Sequence, residues 1–204
     1  MNRIIIVILF FLLVSCEEKI DPIQSHSETQ PKSNSETHAV IEIPAGTLDK
    51  FELNKKTKSI EHEHKNGKPR VVQYLAYPGN YGYIPNTLLS KKNGGDGDPL
   101  DVIVLGAAVK RNDTLPIKII GALKLLDRGE QDDKLIAVSV NTPFSEVKNM
   151  IELDEKFHGV SKMIDIWFTN YKGIGKMETQ GFIDQKAANK VLELAQNDYK
   201  NSSH

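Results

Sequence analysis

The sequence predicts an α+β domain that is mainly β, a small barrel of short strands with helices packed against it. Two observations carry that prediction. From residue 39 to residue 140, short runs of Val, Ile and Leu recur with Gly, Pro, Asn and Asp between them, the pattern of closely spaced strands and turns. Beyond residue 154 the apolar residues fall three and four apart instead, which is the helical period. Residues 39–204 are long enough to bury one core of their own.

The elements follow in order. Ala39-Val40-Ile41-Glu42-Ile43 reads as a strand closed by Pro44. Lys50-Phe51-Glu52-Leu53 alternates polar and apolar, Lys58-Ser59-Ile60-Glu61 follows after a turn, and Arg70-Val71-Val72 starts a further extended stretch. The segment Tyr77 to Pro85 carries two prolines and two glycines, which no helix tolerates. Strands are expected over Val102–Leu105, Ile117–Leu126 and Leu135–Val140. One helix is expected from Asp154 through Phe157, Val160, Ile164, Trp167, Phe168 and Tyr171, stopped by Gly173 and Gly175. A second runs from about Gln185 with Ala188, Val191, Leu192, Ala195 and Tyr199 on one face.

The N-terminus has a different character. Arg3 precedes eleven unbroken apolar residues, Ile4 to Val14, too few to span a bilayer, which needs roughly 20, and of the length of a signal-peptide apolar region. The run ends Leu13-Val14-Ser15-Cys16, the pattern of a bacterial lipoprotein signal, and Cys16 is the one cysteine of the chain. The expectation is a signal peptide over 1–15, a lipidated Cys16 with a disordered linker over 16–38, and a domain tethered to a membrane of the bacterial cell envelope. Residues 17–38 contain only Ile20 and Ile23 as large apolar side chains, too few to offset the entropy of ordering. The formal net charge of −1 argues against a nucleic-acid partner.

Chemistry concentrates in Asp96-Gly97-Asp98-Pro99-Leu100-Asp101-Val102, which packs three carboxylates into six residues. Such carboxylates repel one another unless a cation sits among them, and hard oxygen donors suit one or two divalent ions. The pattern alone fits a calcium loop as well as a catalytic metal site, although Ala107 stands where an EF-hand would place its glutamate. A second acidic group follows. Asp127 ends a strand and Asp132 lies five residues on, so a hairpin would hold both on one side. Carboxylates on two loops can hold two metals, an arrangement suited to phosphoryl transfer. Lys50, Arg70, Lys134, Lys172 and Lys176 lie near strand or helix ends, as do Tyr77, Tyr81 and Tyr171; Arg, Lys and Tyr all donate hydrogen bonds to phosphate. Each of these also has an ordinary reading as solvated surface or core packing. So do His62, His64 and His158, the last expected in mid-helix.

With these motifs in place the chain resembles the soluble, family I inorganic pyrophosphatases. The resemblance rests on Ile41-Glu42-Ile43-Pro44, Lys50-Phe51-Glu52, Tyr77 through Ile84, the Asp96–Val102 run, Asp127, Asp132 and Lys134, and Tyr171-Lys172, in that order. It implies a five-stranded barrel of the oligonucleotide-binding type with flanking C-terminal helices, and hydrolysis of inorganic diphosphate with Mg²⁺, for which Mn²⁺ or Zn²⁺ are candidate substitutes. It implies Asp96, Asp101, Asp127 and Asp132 as metal ligands, with Glu42 holding metal-bound water. Asp98 would be the general base, and Lys50, Arg70, Tyr81, Lys134, Tyr171 and Lys172 the groups that bind the two phosphates. Members of the family form hexamers or dimers, so a homo-oligomer is expected. Two positions depart from the pattern of many bacterial members: Arg128 follows Asp127 in place of an acid, and Arg70 lies one residue nearer the tyrosine segment. The lipoprotein signal is a third departure, in a family expected in the cytoplasm. The competing readings are a non-catalytic phosphate- or calcium-binding lipoprotein on the same fold, and a hydrolase of another small diphosphate.

Overall fold

The computed structural model describes residues 36–202. The expected signal peptide, Cys16 and most of the linker lie outside them. Eleven strands and three α-helices make a mainly β, α+β fold. In chain order the strands are β1 (Thr37–Ile43), β2 (Phe51–Asn54), β3 (Ser59–His62), β4 (His64–Lys65), β5 (Lys68–Pro69), β6 (Asn80–Tyr83), β7 (Asp101–Leu105), β8 (Thr114–Asp127), β9 (Glu130–Gln131), β10 (Lys134–Ser139) and β11 (Met177–Asp184). The helices are α1 (Met150–Lys156), α2 (Val160–Asn170) and α3 (Gln185–Ser202).

The main sheet runs β1-β6-β7-β10-β8-β11, and β1 also pairs with β8 through Thr37–Val40. The path thus returns to its first strand, unevenly: β1 meets β8 along its first half and β6 along its second, with a register shift between Ile41 and Ile43. β7 and β10 are parallel neighbours. Every residue of β10 is buried, as expected of a strand covered on both faces. Alternation along β7 sorts its side chains between two cores. Ile103 and Leu105 join Tyr81, Leu123, Leu125, Ile136, Trp167 and Phe168, with α1 and α2 packed there. Val102 and Val104 join Ile41, Leu135, Ala137 and, from α3, Ala188, Leu192 and Ala195.

Several expectations change. The helix read from Asp154 is two helices. Gly159 adopts φ 85°, a left-handed turn that glycine enters without a Cβ penalty, and it separates α1 from α2. His158 sits in that break, not in mid-helix. Both helices press apolar faces on one core, so the spacing continued across the interruption. Arg70-Val71-Val72 forms no strand beyond a single bridge from Val71 to Asp49. β11, unforeseen, forms because its residues pair with the far end of β8. The β4–β5 hairpin, closed at Asn66-Gly67 with both residues at positive φ, carried an Asn-Gly turn signal that the reading passed over. β1 begins at Thr37, two residues before the expected boundary.

Candidate active site

The strand ends define the site. Asp101 opens β7 and Lys134 opens β10, and the parallel register puts them opposite one another. Lys134 Nζ donates to Asp101 Oδ2 at 2.5 Å and to Asp132 Oδ1 at 2.5 Å. Asp127 ends β8, and the β8–β9 hairpin pairs it with Glu130, which carries the chain back to Asp132. Lys172, just past α2, donates to Asp127 Oδ2 at 2.7 Å and stands 3.9 Å from Asp132 Oδ2. Tyr171 stacks on Trp167 with ring centroids 4.5 Å apart, and the Trp167 indole N–H donates to Leu75 O at 2.9 Å. The aromatic pair fixes where Lys172 begins.

The 96–101 loop is held by its own backbone. Asp98 N donates to Asp96 Oδ1 at 2.9 Å, and Gly97 N to Leu89 O at 2.8 Å. Gly97 takes φ 87°, and Leu100 is fully buried behind the loop. Glu42, near the end of β1, accepts from Leu53 N at 2.7 Å. Lys50 N donates to Arg70 O and Arg70 N to Glu63 O, while the Arg70 guanidinium binds the Glu63 carboxylate at 2.6 Å.

These segments enclose a cleft of about 340 Å³ lined by every candidate side chain: Glu42, Lys50, Arg70, Tyr81, Asp96, Asp98, Asp101, Asp127, Asp132, Lys134, Tyr171 and Lys172. Of the other residues weighed, Lys176 and Tyr77 do not line it; Tyr77 is packed in the core against Trp167 and Tyr81. Arg128 stays outside the lining as well, its N–H given to Lys176 O at 3.1 Å. His62 stacks on Phe51 at 4.4 Å. The sequence reading missed Lys55, Glu63, Glu130 and Gln131, which also line the cleft. Glu52 was read only as half of a Lys-x-Glu pair; it lines the cleft too, 3.9 Å from Lys50. Lys55 carried no local signal; it follows β2 by one residue, and only the fold brings it to Gly97 and Asp98.

Burial sets the electrostatics. Burial, with the Asp101 carboxylate adding to it, pushes the Glu42 carboxyl up to about 8. Asp96 is raised by burial, and Asp132 by burial against the opposing pull of Lys134. Burial works against the Lys134 ammonium, but Asp101 and Asp132 on either side outweigh it and hold Lys134 charged. Burial raises the Tyr81 phenol well above its usual range, so it stays a neutral donor.

Among the described residues no three acidic, His or Cys side chains form a ready-made metal cluster. The carboxylates are instead bridged by ammoniums, Asp101 to Asp132 by Lys134 and Asp127 to Asp132 by Lys172, while Lys55 pairs with Asp98 alone. Asp127 Oδ1 is buried with no hydrogen-bond partner, an acceptor that costs stability unless something positive meets it. An all-oxygen donor set from two facing loops, one oxygen unsatisfied, fits a hard cation such as Mg²⁺. The ammoniums must share or yield the carboxylates for it to bind.

Comparison with known proteins points to one family. The family model described as inorganic pyrophosphatase matches residues 39–200. An inorganic pyrophosphatase of Campylobacter jejuni is 32% identical over 170 residues, covering 80% of this chain and 91% of that protein. One from Drosophila melanogaster is 37% identical over 166 residues, covering 74% of this chain. The chain spans about half the length of the fly relative and of a yeast mitochondrial one. Among solved structures, a truncated vacuolar soluble pyrophosphatase of Trypanosoma cruzi in complex with PPi superposes with a TM-score of 0.79 at 27% identity, over 91% of this chain and 76% of that one. The Helicobacter pylori inorganic pyrophosphatase superposes with a TM-score of 0.70 at 29% identity, over 85% of this chain and 99% of that one.

Proposed function

The chain belongs to the inorganic pyrophosphatase family, and on that premise we propose that its cleft hydrolyses inorganic diphosphate to two phosphates with Mg²⁺. One observation carries the reading: the acidic, basic and phenolic side chains that the resemblance assigns to metal, base and phosphate, from separate motifs, line the same cleft. The fold that holds them is, in this reading, a five-stranded barrel of the oligonucleotide-binding type.

Lys50, Arg70, Lys134, Lys172, Tyr81 and Tyr171 bind the two phosphate groups and stabilise charge on the one that leaves. Asp98 takes a proton from the attacking water. The water oxygen bonds to one phosphorus as the bridging oxygen departs with the other phosphate. Asp96, Asp101, Asp127 and Asp132 would hold the metal directly, and Glu42 through water. When bound, the metal would supply Lewis acidity that lowers the pKa of water toward roughly 7. No covalent enzyme intermediate is involved; positioning and electrostatics do the work.

The test is phosphate release from diphosphate by the full chain, with Mg²⁺ and with chelator. Rapid release abolished by chelator is expected. No release with Mg²⁺, Mn²⁺ or Zn²⁺ would overturn the reading.

We propose further that residues 1–15 are removed and Cys16 is lipidated, which anchors the domain to a membrane of the bacterial envelope, and that the domain assembles as a homo-oligomer. The apolar run before Cys16 and the polar stretch after it support the anchor. Labelled fatty acid should enter the wild-type chain and not Cys16→Ser; label in both would sink the anchor.

A further inference from the structure

Lys55 has no role in the chemistry proposed above, yet it meets the group proposed as general base. Its ammonium pairs with Asp98 Oδ1 and donates to Gly97 O at 3.0 Å. A lysine ammonium has three N–H bonds; these two contacts leave one over, in a residue that lines the cleft.

Lys55 differs from the other cleft cations in its freedom. The Lys134 side chain is 2% exposed, Lys50 13%, Lys172 18% and Arg70 25%, whereas Lys55 is 56% exposed. Lys134 is clasped by two carboxylates, Lys172 is tied to Asp127 and Arg70 to Glu63. Those cations are set. The Lys55–Asp98 pair lies between two half-exposed side chains, and such pairs contribute little to stability, so breaking it costs little. The backbone beneath Lys55 is fixed nonetheless. Asn54 Oδ1 accepts from Lys56 N at 2.9 Å, and Lys58 N donates to Asn54 O at 2.8 Å. A rigid base, a long side chain and a weak, water-facing partner describe a cation that can change partners.

We propose that Lys55 is a substrate clamp: as diphosphate enters, its ammonium leaves Asp98 and Gly97 and closes on a phosphate oxygen. The proposal rests on the reading of the cleft as a diphosphate site. One ion pair breaks and one forms, and no covalent bond changes. The exchange is favourable because a multiply charged phosphate oxygen cluster attracts an ammonium more strongly than a single half-exposed carboxylate does.

Calorimetric titration of the full chain with imidodiphosphate and Mg²⁺ measures binding without turnover. Lys55→Met should weaken binding by about tenfold or more, the usual loss on removing one hydrogen bond between charged groups. Lys55→Arg should keep most of the affinity. Lys56→Met, at an exposed neighbour outside the cleft, should match wild type. In turnover, Lys55→Met should raise KM by the same factor while kcat falls far less. Equal binding by wild type and Lys55→Met overturns the clamp. Equal weakening in Lys56→Met overturns it too, since net charge would then be the cause. Tighter binding by Lys55→Met also overturns it, because Lys55 would then only compete with the ligand. A wild-type chain with Lys55-dependent binding but no phosphate release keeps the clamp and rejects the hydrolysis reading. A wild-type chain that does not bind the probe rejects both.

Discussion

At the scale of single residues, the cleft is an argument about charge balance. Asp101 and Asp132 share the buried Lys134, and two carboxylates held on either side of one site repel each other without that ammonium. Asp98 is different. It is half exposed, its ionic partner among the described residues is the exposed Lys55, and nothing in the packing requires its charge. Asp98→Asn should therefore lower the melting temperature by no more than about 2–4 °C, since an exposed pair contributes at most about 1 kcal/mol. Phosphate release should fall by about 10²–10⁴-fold, the range for loss of a general base. A variant that retains wild-type turnover would show that another group takes the proton.

At the scale of elements, the site is held by how β1 and β6 close on each other. Gly82 in β6 faces Ile41 across the pairing, and a Cβ there would run into the Val40 carbonyl and lie 2.9 Å from Ile41 Cα. The obstacle is backbone, which cannot rotate away as a side chain can. Gly82→Ala should lower stability by about 3 kcal/mol or more, at the upper end of what overpacking costs. It should also reduce activity, because Glu42 rides on β1 and Tyr81 on β6. Urea unfolding measures the first effect; a midpoint equal to wild type would mean that the strands part there at little cost. The same contact explains the glycine of Tyr81-Gly82-Tyr83: the two tyrosines, two positions apart, share the face that lines the cleft, and the glycine between them lets the strands meet.

At the scale of the whole molecule, metal affinity and folding are one equilibrium. The cleft gathers carboxylates from the 96–101 loop and the β8–β9 hairpin, and burial raises two of them, Asp96 and Asp132. A cation that binds only this assembled set stabilises the fold by mass action, about 2.7 kcal/mol at 100 times its Kd. For a chain of this size that is a rise in Tm of about 5–10 °C. Scanning calorimetry with saturating Mg²⁺ should show it, and chelator should reverse it. An unchanged Tm would mean that the ammoniums of Lys134 and Lys172 keep the carboxylates for themselves.

Much of this was legible in the residues. The strands β1, β2, β3, β7, β8 and β10, the helix from Gln185 and the acidic loops announce themselves through local period, turn residues and charge, which are properties of neighbouring positions. The candidate site residues were picked out by the family resemblance carried in short motifs; taken singly, the lysines and tyrosines read as ordinary surface or core. What the sequence could not decide depended on partners distant in the chain. β11 is a strand because β8 offers it an edge. One helical period became two helices because Gly159 could turn left-handed while both halves kept the same core. Arg70-Val71-Val72 stayed irregular because its backbone bonds go to scattered partners, Leu48, Lys50 and Glu63, with only a single bridge to Asp49. Lys55, an ordinary surface lysine by its sequence, became a cleft residue because the fold brings it to Gly97 and Asp98, more than forty positions away. The sequence by itself determined which groups could do chemistry. The tertiary structure decided which of them share one cleft and which cations are free to move within it, because burial and ion pairing are set by packing between distant segments.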